Sequence, residues 1–179
     1  MPHSIVSASQ LLVDNLPLLK SLSFDEGVLD LACGKGRNGL FLTGNNIPVT
    51  FADSNDAVLD HITELFDASG NLANCWLVDF EASDSNPLAD KSYDVVLVFN
   101  YLHRPLFRRI REVIRPGGLV FYETFTVAQR KFGKPSNPDF LLQPGELKQY
   151  FEDWEILHYF EGEVARPDRA IANLIARRT

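Results

Sequence analysis

Cysteine, methionine and tryptophan are scarce, at two, one and two copies in 179 residues. Cys33 and Cys75 stand far apart, and no further Cys or His sits near them at metal-ligand spacing. A zinc site and a disulfide framework are therefore both excluded as organising devices. No stretch approaches the roughly 20 apolar residues that a membrane-spanning helix needs. The first thirteen residues lack the basic start and long apolar centre of a signal peptide. A soluble, cytoplasmic chain is expected. Positive charge is also short: 17 Lys+Arg stand against 24 Asp+Glu, for a net charge of −7. That balance repels polyphosphate and disfavours nucleic acid or an anionic membrane as a partner. The 11 Gly and 10 Pro follow no period, which removes a fibrous reading.

What is present is an ordinary globular mixture, 45% hydrophobic and 23% charged. At this length one domain over residues 1–179 is expected, with an N-terminal helical segment at 1–22. Short apolar runs recur at Val28–Ala32, Val49–Ala52, Cys75–Val78, Val95–Phe99 and Leu119–Phe125. Runs of this kind suit strands buried on both faces of a parallel sheet. Helices are expected between them at Gly36–Thr43, Asp56–Ala68 and Pro105–Arg115, the last stopping on Pro116-Gly117-Gly118. A helix at Gly145–Phe151 and strands at Trp154–Phe160 and Ala170–Arg177 complete the chain. The alternation predicts an α/β fold, a doubly wound, mostly parallel seven-stranded sheet with helices on both faces. Thr126–Pro144 is too long for a mere connector and is a candidate substrate loop.

In such sheets ligands bind beyond the carboxyl ends of the strands. At the first of those ends Asp30-Leu-Ala-Cys-Gly-Lys-Gly-Arg-Asn38 runs from a strand into a glycine turn and a helix. Gly34 and Gly36 let the backbone approach a ligand closely, with helix N–H groups aimed at it. The spacing Gly34-x-Gly36-x-x-Gly39, followed by Asp53, also matches a dinucleotide fingerprint. Asp30 decides against that reading. It sits inside an apolar strand, where a dinucleotide has no use for a carboxylate and a buried charge needs a cationic partner.

An acid, a glycine loop and a second acid at the next strand end resemble class I S-adenosylmethionine-dependent methyltransferases, from about Ser23 onward. Within that superfamily Asp30–Asn38, Tyr101-Leu-His-Arg-Pro-Leu106, Arg115-Pro-Gly-Gly118 and Tyr122-Glu-Thr-Phe125 look most like the small tellurite-resistance and thiopurine-type bacterial enzymes. The resemblance implies a Rossmann-like fold and S-adenosyl-L-methionine as cofactor. It implies that Asp30, Ala32, Gly34, Gly36 and Asn38 cradle the methionine part, and that Asp53, with Ser54, takes the ribose. Asp79 would accept from the adenine amino group, with Phe80 on or beside the ring. Asn100 would hold the ammonium or face the acceptor. Ala32 departs from the family pattern by replacing its first loop glycine. Asn100-Tyr-Leu-His103 departs from the Asn-Pro-Pro-aromatic signature of base-amino methylases.

Tyr101, His103 and Arg104 follow a buried strand at the switch-point edge and are the candidate catalytic residues. His103 suits a base or an orienting group, and Arg104 an anion holder or a loop cap. Tyr101, Tyr122, Phe125 and Phe132 are candidates to line an apolar acceptor pocket. The expected reaction is in-line methyl transfer to a small-molecule acceptor, anionic or softly nucleophilic. Arg104, Arg108, Arg111 and Arg115 recur at helical spacing, a solvated face or a nucleic-acid face. Alternatives are an RNA-directed methyltransferase, a nicotinamide-dependent oxidoreductase and a catalytically silent cofactor-binding or interaction module. No Tyr-x-x-x-Lys pair follows any of the five tyrosines, which counts against the oxidoreductase. Metal is not expected, and the sequence gives no indication of oligomeric state.

Overall fold

A computed structural model describes residues 7–69, 73–82 and 86–179. Two short helices, α1 (Gln10–Asp14) and α2 (Leu16–Lys20), precede the first strand. They lie in the expected N-terminal helical segment; residues 1–6 of that segment fall outside the described residues. The chain then alternates β1 (Val28–Leu31), α3 (Arg37–Thr43), β2 (Val49–Asp53), α4 (Asp56–Ala68), β3 (Asn74–Leu77), β4 (Tyr93–Phe99), α5 (Leu106–Val113) and β5 (Ile114–Phe125). Helix α6 (Glu146–Tyr150) leads into β6 (Glu155–Val164) and β7 (Arg169–Arg177).

The seven strands form one sheet in the order β3-β2-β1-β4-β5-β7-β6. The pairs from β3 through to β5 are parallel, and β7 joins β5 and β6 antiparallel. The direction of winding reverses between β1 and β4, so their carboxyl ends open a crevice there. Strand β4 explains why both faces must be covered, since all seven of its residues are buried. Val96 and Val98 pack toward α5 and α6 with Phe107, Ile110, Leu147 and Phe151. Val95, Leu97 and Phe99 face the other way, with Leu12, Leu42 and Ile62 of α1, α3 and α4. This two-residue alternation gives the sheet one core on each face.

The structure revises the expected boundary after α5. The helix ends at Val113, and Ile114 already pairs with Tyr93. Pro116-Gly117-Gly118 forms a bulge within β5 before Leu119 meets Val95. Arg178 takes up the freed backbone groups there, its carbonyl accepting from Gly117 and its amide donating to Gly118. The long segment 126–144 is likewise better ordered than a plain loop. It holds 3-10 turns at Val127–Lys131 and Pro138–Phe140, and Thr126 bridges Leu142. Leu141 and Leu142 are fully buried, so the segment is pinned at its return. Among the described residues no helix is long and apolar enough to cross a membrane.

Candidate functional site

Asp30 ends as a carboxylate deep in the sheet, 2% exposed. Its Oδ2 accepts the Gly39 amide at 2.9 Å, tying β1 to the first turn of α3. Burial pushes its pKa up from 3.8 to about 7, against the pull of that amide and of nearby Arg37. No ion pair to Asp30 forms among the described residues; the Arg37 guanidinium instead donates to the Ser7 carbonyl. The carboxylate borders a cavity of about 330 Å³ whose wall also includes Ala32, Gly34, Asn38 and Asn100. That size falls within the usual range for small-molecule sites. The buried carboxylate thus has no ion-pair partner among the described residues, although the Arg37 charge lies near it.

The glycine turn leaves its backbone open beside this cavity. Gly34 adopts φ +53°, and a Cβ built on it meets nothing within 4 Å, so its backbone faces open space. Gly36 caps α3 at φ +71°, where a Cβ would press on Ile62 Cδ1 at 2.8 Å. Ala32 is also left-handed, at φ 52°, where an L side chain is strained by about 1–2 kcal/mol. Gly39 serves packing instead: a Cβ there would lie 2.3 Å from Phe51 Cε1 and 2.8 Å from Asp30 Oδ2. Cys33 fills the turn half-buried. Burial, with Asp30 and Asp53 nearby, pushes its thiol pKa up and keeps it protonated.

Asp53 ends β2 with both oxygens engaged by backbone, Oδ2 by the Gly34 amide at 2.8 Å and Oδ1 by the Asn55 amide at 2.9 Å. Asn55, not Asp53, caps α4, accepting from the Ala57 amide. Each Asp53 oxygen retains a lone pair for a further donor. Ser54 beside it is exposed. Asp79 is exposed after β3 and accepts the Glu81 amide at 2.8 Å. Phe80 is buried edge-on against Trp76. Asn38 is buried and accepts the Ser9 amide at 2.9 Å, which fastens the N-terminal segment to the cavity.

Beyond β4, Asn100 adopts φ 55° and borders both the first cavity and a second one of about 160 Å³. Tyr101 and Phe125 line this second space; Tyr122 is instead buried, and Phe132 lies outside its wall. The Tyr122 hydroxyl donates to the Tyr101 carbonyl at 3.1 Å. His103 is half-buried and lines neither cavity. Arg104 is committed elsewhere. Its guanidinium makes two bonds to Glu146, at 2.7 and 2.9 Å, and two more to the Asp139 and Leu141 carbonyls.

The arginine periodicity dissolves in the same way. Arg104 and Arg115 lie outside α5, and Arg108, Arg111 and Arg115 pair with Glu112, Asp153 and with Asp25 and Asp94. Local acids occupy the charges that a nucleic-acid face would present. His158, which has no constellation in the sequence, meets Asn173 at 2.8 Å; Asn173 in turn donates to the buried Glu123. Glu81 carries no motif of its own yet lines the second cavity, and its place two residues after Asp79 was the signal available.

The family described as Tellurite resistance protein TehB matches residues 19–176. A Haemophilus influenzae protein (strain ATCC 51907 / DSM 11121 / KW20 / Rd), named Probable S-adenosyl-L-methionine-dependent methyltransferase TehB, is 30% identical over 152 residues. The match covers 79% of this chain and 51% of that protein. The chain thus spans about half the length of the curated relatives it matches. The crystal structure of TehB from H. influenzae superposes with a TM-score of 0.74 at 25% identity, covering 93% of this chain and 62% of that one. A SAM-dependent methyltransferase from Methanosarcina mazei shares the fold, with a TM-score of 0.68 at 18% identity over 90% of this chain and 97% of that one.

Proposed function

The chain belongs to the TehB family of class I methyltransferases, and from that premise we propose that it transfers the methyl group of S-adenosylmethionine to a small-molecule acceptor by in-line displacement. Asp30 carries the proposal: a buried carboxylate with no ion-pair partner among the described residues borders a cavity of ligand size. The ammonium of the methionine part supplies the missing charge, and the open backbone at Gly34 and the turn at Gly36 and Ala32 leave room for the chain that bears it. Asn38 sets the wall beside Asp30. Asp53 keeps a lone pair on each oxygen for the ribose hydroxyls, with Ser54 next to it. Asp79, exposed after β3, takes the adenine amino group; Phe80, packed edge-on against Trp76, stands beside the ring.

When bound, the cofactor supplies a methyl on a sulfonium whose leaving group is a neutral thioether. The residues mainly have to align the acceptor about 3–3.5 Å from that methyl and exclude water. Asn100 stands where the two cavities meet, which suits it to face both partners. Tyr101 and Phe125 bound the acceptor side, and the segment 126–144 covers it through Pro135 and Phe140. Arg104 acts by anchoring that segment, so an anionic acceptor loses the cation expected for it. His103, half-buried and next in the chain to Arg104, is the residue left to orient an acceptor or take its proton. The small second cavity supports a small molecule over a macromolecule, and two thiols without a disulfide support a cytoplasmic location.

The test is incubation with methyl-labelled S-adenosylmethionine and a panel of small thiols, amines and phenols. Acceptor-dependent formation of S-adenosylhomocysteine is the expected result. Tight cofactor binding with no turnover on any acceptor would favour a silent binding module instead.

A further inference from the structure

Ser9 stands at the N-terminal cap of α1, where a serine hydroxyl ordinarily accepts from an amide of the first turn. Here it makes no such bond. The hydroxyl instead donates to Glu123 Oε1 at 3.4 Å, while the Ser9 backbone amide donates to Asn38 Oδ1 at 2.9 Å. One buried residue thus bridges the wall of the first cavity, where Asn38 and Asp30 stand, and a carboxylate on β5.

That carboxylate is costly where it lies. Glu123 is 3% exposed, within a buried run of β5. A charge there needs donors around it, and an apolar side chain of similar volume would serve packing as well. Asn173 of β7 donates to Oε2 at 3.0 Å. His158 of β6 fixes the Asn173 amide in that sense, with Nε2 at 2.8 Å from Oδ1, which leaves Nδ2 for Glu123. Arg169 lies 3.7 Å from Oε1, close enough to balance charge and too far to donate a hydrogen bond. The backbone of Glu123 meets the same cavity. It pairs in register with Phe99, and its carbonyl accepts the Asn100 amide at 2.8 Å; Phe99 and Asn100 are both wall residues.

On the reading of this cavity as the S-adenosylmethionine site, we propose that Glu123 is a positioning residue for the cofactor. It holds Ser9, Ser9 holds Asn38 in the wall, and cofactor affinity depends on that chain. Glu123 acts from outside, since it lines neither cavity.

Calorimetric titration of the full chain with S-adenosylhomocysteine tests this on Glu123→Gln, Ser9→Ala, Ser9→Thr and the double variant of the first two. Ser9→Ala keeps the amide bond to Asn38 and removes the link to Glu123. Each of the two single variants is expected to raise Kd by about fivefold or more. The double variant should match the weaker-binding single within about twofold, because both cut one chain. Ser9→Thr, which keeps a hydroxyl, should stay within about twofold of the parent. A merely structural loss would multiply across the two sites and would not be rescued by a hydroxyl. Parent-like affinity in Glu123→Gln or Ser9→Ala would overturn the proposal, as would losses that multiply in the double variant. Should Glu123→Gln fail to fold, the two Ser9 variants decide alone: parent-like binding by Ser9→Ala, or equal losses in both, would overturn it. Unchanged variants of a parent that takes up S-adenosylhomocysteine would leave methyl transfer standing, whereas a parent that takes up none would overturn both readings.

Discussion

The Gly39 amide donates to Asp30 Oδ2 at 2.9 Å, across the turn that joins β1 to α3. This one bond holds a carboxylate in the sheet interior, where burial lifts its pKa to about 7. Such a group opposes folding when charged. The folded chain binds the Asp30 proton more tightly than the unfolded chain between about pH 4 and 7, so stability falls as pH rises through that window and levels off above it. Asp30→Asn keeps an acceptor for Gly39 and removes the charge. Thermal melts are expected to show the variant more stable than the parent at pH 8, on the order of 1–3 kcal/mol, with little difference at pH 4. A variant less stable than the parent at pH 8 would contradict this account.

The same proton governs the ligand. A bound ammonium requires Asp30 ionised, so cofactor affinity should rise with pH up to about 7 and level off above it. Below that point one linked proton gives about tenfold per pH unit. Affinities measured at pH 5.5, 6.5 and 7.5 check the slope, and Asp30→Asn should bind weakly with no slope at all.

Gly39→Ala would drive a methyl group against Phe51 and the Asp30 carboxylate, at 2.3 and 2.8 Å before relaxation. Overpacking of this kind costs roughly 1–3 kcal/mol. The urea midpoint is expected to fall by that measure, and cofactor binding to weaken because Asp30 is displaced with it.

Much of the sheet was legible because buried parallel strands read as apolar runs, as in Val95–Phe99, with both faces covered. The glycine turn was legible for a different reason, since Gly34 and Gly36 sit where the backbone needs positive φ. Pro116-Gly117-Gly118 misled because local chemistry names a turn, whereas pairing of Ile114 with Tyr93 starts the strand ahead of it. Arg104 carries no sign in the sequence of its partner Glu146, 42 residues on. Side-chain pairing over such distances has no period to read. The same limit hid the role of Ser9, which reaches Asn38 and Glu123 from the N-terminal segment.

Arg104→Ala should free the segment that roofs the second cavity. It removes four bonds to Glu146, Asp139 and Leu141 and leaves a largely buried Glu146 with the Gln143 amide but without its cation. A loss of roughly 1–3 kcal/mol is expected, together with faster proteolytic cleavage within 132–141. Acceptor KM should rise more than cofactor Kd. Cleavage at the parent's rate would show that the anchor is elsewhere.

Parallel calorimetric titration with S-adenosylmethionine, S-adenosylhomocysteine and NADH is the most direct test of the site. Micromolar binding of the first two, abolished by Asp53→Ala in a folded chain, with silence from NADH, is the predicted result. Binding of NADH alone would contradict the reading of Asp30, and binding of none of the three would contradict the site itself.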